Sequence, residues 1–117
     1  MNTKSQSDRE RAEKYRTRLE AELAETEALV AANAGNSAPV QLDQQSVGRL
    51  ARMDAMQVQA MAQEAERRRK DRVLRIRGAL QRIEEGEFGY CAECGEEIAE
   101  GRLDIDPTFH LCVKCAR

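Results

Sequence analysis

Val73-Leu74-Arg75-Ile76-Arg77-Gly78-Ala79-Leu80-Gln81-Arg82-Ile83-Glu84-Glu85-Gly86-Glu87-Phe88-Gly89-Tyr90-Cys91-Ala92-Glu93-Cys94-Gly95 is the stretch on which the fold turns. Its first half places Val73, Ile76, Leu80 and Ile83 at steps of 3, 4 and 3, the apolar seam of a helix. Gly86 ends that pattern, because a glycine just past the last periodic residue accepts the left-handed backbone that closes a helix. Five residues later a cysteine pair begins. A long helix therefore hands over directly to a cysteine-rich module.

Downstream, Cys91-Ala92-Glu93-Cys94 is followed after 17 residues by Cys112-Val113-Lys114-Cys115. Two C-x-x-C pairs at that separation are a strong zinc signature. A two-residue gap lets both sulfurs of a pair reach one ion, Gly95 permits the tight turn, and the intervening residues return the chain to the same point. Cys91, Cys94, Cys112 and Cys115 are thus expected to hold one Zn2+ in a filled tetrahedral shell. A filled shell has no position for water or substrate, so the metal is structural. Such binding, about 10–16 kcal/mol in zinc-finger peptides, folds modules too small for a core of their own. The rival readings are disulfides, an iron–sulfur cluster, and His110 as a ligand in place of a cysteine; a solvent-facing His110 is the blander alternative to the last. Phe88, Tyr90, Ile98, Leu103, Ile105, Phe109 and Leu111 are expected to form a miniature core.

Upstream, Ser7 to Ala32 has no Gly or Pro, and Ala12, Tyr15, Leu19, Leu23, Thr26 and Val30 recur at steps of 3, 4, 4, 3 and 4. That predicts a helix of roughly 26 residues, about 40 Å long. The breakers Asn33-Ala34-Gly35-Asn36-Ser37-Ala38-Pro39 predict a reversal near 33–42. A second helix is expected from Asp43 to Glu85, capped by Asp43 or Ser46. Val47, Leu50, Val58, Met61 and Ala65 read as its upper apolar track. Met61, Ala65, Arg69 and Val73, stepping by 4, read as a stutter joining that track to the lower one. Two helices with one apolar stripe each are expected to pair as an antiparallel hairpin, with the excess of helix 2 running past the start of helix 1 toward the cysteines. The expected fold is mainly α: a long antiparallel helical hairpin, residues 1–85, and a small C-terminal four-cysteine zinc finger, residues 86–117.

Composition agrees. Charged residues make up 34% and aromatics 3%, with no tryptophan and a net charge of −2. Such a chain suits solvated helices and cannot fill a thick sheet core. No apolar run reads as a secretory signal or membrane span, so a cytoplasmic location with no membrane partner is expected, and a reducing compartment favours metal over disulfides. The acids Glu93, Glu96, Glu97, Glu100, Asp104 and Asp106 outnumber Arg102, Lys114 and Arg117 around the cysteines, which disfavours a phosphate-binding surface there. No catalytic constellation remains once the cysteines are assigned, so no enzyme is expected.

Phe88-Gly89-Tyr90-Cys91-Ala92-Glu93-Cys94-Gly95-Glu96-Glu97-Ile98, Arg102-Leu103, Pro107-Thr108 and Leu111-Cys112-Val113-Lys114-Cys115 resemble the DksA/TraR family of bacterial zinc-finger transcription regulators. The resemblance implies a monomer that binds RNA polymerase rather than promoter DNA. It inserts its coiled-coil tip through the secondary channel and, in several members, acts with ppGpp in the stringent response. The tip motif of longer members, Asp-x-x-Asp-x-Ala, would fall on Gly48 to Met53, where no acid stands. The candidate tip residues here are Asp43, Arg49, Arg52 and Asp54; as alternatives, Asp43 is a helix cap and the others are solvated surface.

Glu64 to Arg72 holds five basic and three acidic residues. The ordinary reading is a solvated face with pairs such as Glu64–Arg68. The sharper one places ppGpp phosphates on Arg68, Arg72 and Arg75, although the lysine that follows the last cysteine in the family is Ala116 here. A zinc-finger nucleic-acid binder and a coiled-coil adaptor are the competing functions.

Overall fold

The structure is a computed structural model and describes residues 6–34 and 48–116. The described part is helical, with α1 at Gln6–Ala32, α2 at Arg49–Glu85 and a short α3 at Glu100–Ile105. The only β pairing among the described residues is one antiparallel bridge between Tyr90 and Glu97. The molecule is 71 Å along its longest axis and 28 and 21 Å across. Asp43, Ser46 and Val47 lie outside the described residues. α2 begins at Arg49, after Gly48 in extended conformation with no side-chain cap.

The lower seam is as expected. Tyr15 and Leu19 of α1 and Ile76, Ala79 and Ile83 of α2 are buried, with Ala12, Leu23 and Leu80 packed against them. Ion pairs link the helices in antiparallel register: Arg16 to Glu84 at 3.2 Å, Arg72 to Glu22 at 2.7 Å, and Arg77 to Glu27.

Two expectations about α2 are overturned. First, its excess does not run past the start of α1. The Arg16–Glu84 register leaves the first turns of α1 beyond the end of α2, where the cysteine module meets them. At the other end Val30 and Ala31 lie beside Lys70 and Val73. α2 therefore continues about five turns, roughly 28 Å, past the end of α1. Second, there is no stutter. Arg52, Ala55, Gln59, Ala62, Glu66, Arg69, Val73, Ile76, Leu80 and Ile83, stepping regularly by 3 and 4, are all buried or half-buried. Of the residues read as the upper apolar track, Leu50 (76% exposed), Val58 (67%) and Met61 (71%) face out, whereas Ala65 is half-buried. A regular 3–4 repeat keeps one face of the helix in line along its whole length, and from Arg69 to Ile83 that face meets α1. Position in the repeat, not side-chain size, decides which residues turn inward.

α2 stops at Gly86 in the left-handed conformation (φ 77°), with Glu87 N–H donating to the Arg82 carbonyl at 2.8 Å and Gly86 N–H to Ile83 at 3.2 Å. Phe88, Cys91, Ile98, Leu103 and Cys112 belong to the same buried cluster as Tyr15, Leu19 and Ile83. The module's miniature core is thus continuous with the hairpin seam. Ile105, expected inside, is 76% exposed. It is the last residue of α3, whose inward position is already taken by the fully buried Leu103.

Candidate metal centre and its attachment to the hairpin

The metal site is built by two tight turns facing each other. In the first, Gly95 N–H donates to the Cys91 carbonyl at 3.0 Å, with Gly95 at φ 77°. In the second, Ala116 N–H donates to the Cys112 carbonyl at 2.9 Å. The Ala92 N–H to His110 carbonyl bond, 2.8 Å, ties one turn to the other. The four sulfurs all lie within 4.8 Å of one another, and Cys94 Sγ is 3.6 Å from Cys112 Sγ. Tetrahedral sites with zinc–sulfur bonds of about 2.3 Å put sulfurs roughly 3.8 Å apart, so the set fits one zinc ion.

The electrostatics fit as well. Backbone N–H groups of Cys94 and Cys112 lower the Cys91 thiol to about 6, while hydrogen bonds to the sulfurs of Cys91 and Cys112 hold the Cys115 proton on. Four neighbouring thiolates need a cation between them. Cys91, Cys94, Cys112 and Cys115 therefore hold one structural Zn2+, which supplies cross-linking and no open coordination position. His110 is exposed and contributes its carbonyl to the scaffold.

Among the polar contacts that fix the module to the hairpin, three centre on Arg11, Tyr15 and Arg72, and no local sequence pattern predicts these pairings. Arg11 on α1 is 9% exposed, pairs with Glu97 at 2.9 Å and with Asp8 at 3.5 Å, and lies 5.7 Å from the centre of the Tyr90 ring. Its guanidinium packs on Gly89, where a Cβ would meet the guanidinium carbon at 2.8 Å; Gly89 also has φ 88°. Tyr15 donates its hydroxyl to Asp104, and burial together with that bond keeps the phenol protonated well above its ordinary range. The third contact centres on Arg72. It binds Glu22 through Nε (2.7 Å) and Nη2 (3.0 Å), and through Nη1 reaches both Asp106 oxygens (3.0 Å each) and Thr108 Oγ1 (3.1 Å). Thr108 N–H and hydroxyl in turn donate to Asp106 at 3.0 and 2.8 Å. One guanidinium thereby joins α1, α2 and the zinc module. The only hint was Asp106-Pro107-Thr108, a sequence in which an aspartate can accept from the amide two residues on. Arg102 adds a local contact, stacking 4.2 Å from the centre of the Phe109 ring.

Of the sequence-predicted anion residues Arg68, Arg72 and Arg75, Arg72 is engaged by two carboxylates. Arg68 and Arg75 are exposed and make no salt bridge among the described residues. Glu64 pairs with Arg67 at 2.5 Å instead of Arg68, and Lys70 and Arg77 pair with Glu66 and Glu27. The basic stretch is largely neutralised by its own neighbours. Of the tip candidates, Asp43 lies outside the described residues. Arg49 and Asp54 are exposed and Arg52 half-buried on the projecting part of α2. No helix among the described residues is long and apolar enough to cross a membrane.

Comparison with known proteins agrees with this geometry. Residues 86–117 match the prokaryotic dksA/traR C4-type zinc finger. A 63-residue stretch is 38% identical to the RNA polymerase-binding transcription factor DksA of Escherichia coli K12 and to that of Haemophilus influenzae. It covers 52% of this chain and 42% and 43% of those proteins. An uncharacterized protein of Aquifex aeolicus is 53% identical over 38 residues, 32% of this chain and 26% of its own. The matched stretch thus spans less than half the length of these curated relatives. The four-cysteine finger at the base of the hairpin, residues 86–117, is thus of the prokaryotic dksA/traR type, and the chain is similar over about half its length to the DksA transcription factors.

Proposed function

We propose that this protein is a non-enzymatic bacterial transcription regulator that binds RNA polymerase directly, entering the secondary channel with the distal end of its hairpin. The single observation that carries this reading is the geometry behind the family match. A helix projects about five turns beyond its partner, from a base held by zinc and by the Arg72 and Arg11 contacts. The named activity of the DksA relatives supports polymerase as the partner. In this reading the two-part division at residue 86 separates an aiming base from a working tip. Arg49, Arg52, Asp54 and Asp43 are the residues nearest the polymerase active centre. An anionic effector such as ppGpp would meet Arg68 and Arg75, with Arg72 withheld by Glu22 and Asp106.

The test is binding of the zinc-loaded chain to core polymerase, competition with other secondary-channel proteins, and open-complex lifetime for wild type, Asp43→Asn and Asp54→Asn. Stoichiometric, competable binding with altered lifetime supports the proposal. Absence of both binding and any change in lifetime refutes it. Steeply salt-dependent binding to bare DNA or RNA would point to nucleic acid instead.

A further inference from the structure

The projecting part of α2 is turned inside out. Arg52, Ala55, Gln59 and Ala62 hold the sheltered face, while Leu50 (76%), Met53 (51%), Met56 (62%), Val58 (67%) and Met61 (71%) are exposed within twelve residues. Three of the chain's four methionines stand here. At those exposures the five side chains present on the order of 600 Å2 of apolar surface, the upper end of what monomeric proteins leave uncovered. Leu50, Met53, Gln57 and Met61 step by 3, 4 and 4, with Asp54 and Val58 flanking, so most of the patch shares one face.

We propose that this face pairs with the same face of a second copy, the two α2 segments lying antiparallel about a two-fold axis. Without Met56, which lies off that face, two such faces amount to about 1,000 Å2, the area of a weak specific interface. The charge pattern selects the direction. A parallel pair would set Asp54 against Asp54 and Arg49 against Arg49. The antiparallel register that sets Leu50 against Met61 and Met53 against Val58 also sets Asp54 against Gln57, whose amide donates to the carboxylate. Arg52 and Gln59 lie on the sheltered face, away from this contact, so no like charges are opposed. A two-fold axis makes each of these contacts twice. Flexible methionines suit a surface that is solvated in one state and packed in another. The pair is weak and concentration-dependent, and it covers the segment of α2 that leads to the hairpin tip. Self-association therefore withholds that segment from any other partner. The inference does not depend on what that partner is.

Sedimentation equilibrium of the full zinc-loaded chain, from low to high micromolar, tests it. The expected result is a mass rising from 13.2 kDa toward twice that value, with Leu50→Glu/Met61→Glu weakening association at least about tenfold, or 1.4 kcal/mol, at unchanged helicity. A benzophenone side chain at Gln57, in a mixture of isotope-labelled and unlabelled copies, should form cross-links between copies near Asp54. A single-copy mass at the highest concentration overturns the proposal. So does association indifferent to the double variant, or cross-linking confined to residues 35–47 of the same copy, which would mean that the chain covers its own face.

Discussion

Replacing Arg72 by alanine should destabilise this protein more than any other single charge deletion on α2. The guanidinium is 24% exposed and its partners Glu22 and Asp106 are 33% and 18% exposed. Hydrogen bonds to charged groups contribute roughly 1.5–3 kcal/mol each when well buried, and stranding a partly buried carboxylate adds to the loss. The exposure of Glu22 calls for a discount on that side. Asp106 keeps two donors from Thr108 after the substitution, which limits the damage on the other. The balance is about 2 kcal/mol. The assay is urea unfolding of the zinc-loaded protein, with the shift in midpoint read at constant slope. Arg67→Ala is the control, because Arg67 sits in solvent on the same helix and should give no measurable change. The pH dependence adds a second readout. Burial raises the Asp106 carboxyl, but the Thr108 and Arg72 hydrogen bonds outweigh it and leave the folded value below the ordinary one. Its contribution is therefore present above about pH 4 and is lost as pH falls through the depressed folded value. Arg72→Ala should flatten that acid-side loss. A change under about 0.5 kcal/mol together with an unaltered acid limb would refute the idea that Arg72 joins the three elements.

Three further outcomes follow from the same geometry. Ile76→Ala, at a fully buried seam position, should cost about 2–4 kcal/mol in urea unfolding, while Met61→Ala should stay within about 0.5 kcal/mol in dilute solution; equal costs would contradict the inverted packing of α2. Gly89→Ala should cost about 1–2 kcal/mol, because the backbone is left-handed there and Arg11 occupies the space of the new methyl group. A neutral result in the same unfolding assay would mean that Arg11 is not held on that surface. Chelation of zinc, or Cys94→Ser, should unfold the module and lower the unfolding midpoint of the hairpin as well, since Phe88 and Cys91 share a buried cluster with Tyr15 and Ile83. An unchanged hairpin midpoint in the chelated protein would show that the two parts are independent.

The fold was legible to different depths in different places. The four cysteines and their spacing named the metal, and α1 was readable from Ala12 to Val30 because its apolar seam is unbroken. The lower seam of α2 was equally plain at Val73, Ile76, Leu80 and Ile83. The upper half misleads because Leu50, Val58 and Met61 are large and apolar yet stand on the outer face. The regular repeat through Arg52, Ala55, Gln59, Ala62, Glu66 and Arg69 was present in the sequence, but it is written in small and polar side chains. The direction of the overhang was not readable at all. It depends on where Arg16 meets Glu84 and on how much of the start of α1 the zinc module claims through Glu97, Tyr90 and Asp104. The Arg72 contact joins residues 34 and 50 positions apart, and no local pattern announces such a pairing.

The central claim is that a zinc-anchored base aims the projecting end of α2 into RNA polymerase. A photo-cross-linker at Arg49 of the zinc-loaded protein, mixed with core polymerase and read by mass spectrometry of the joined peptides, tests it most directly. The account predicts cross-links to residues lining the secondary channel, which disappear when zinc is removed or when another secondary-channel protein is added in excess. Cross-links elsewhere on the polymerase, or none from Arg49 under conditions where the protein binds, would contradict it.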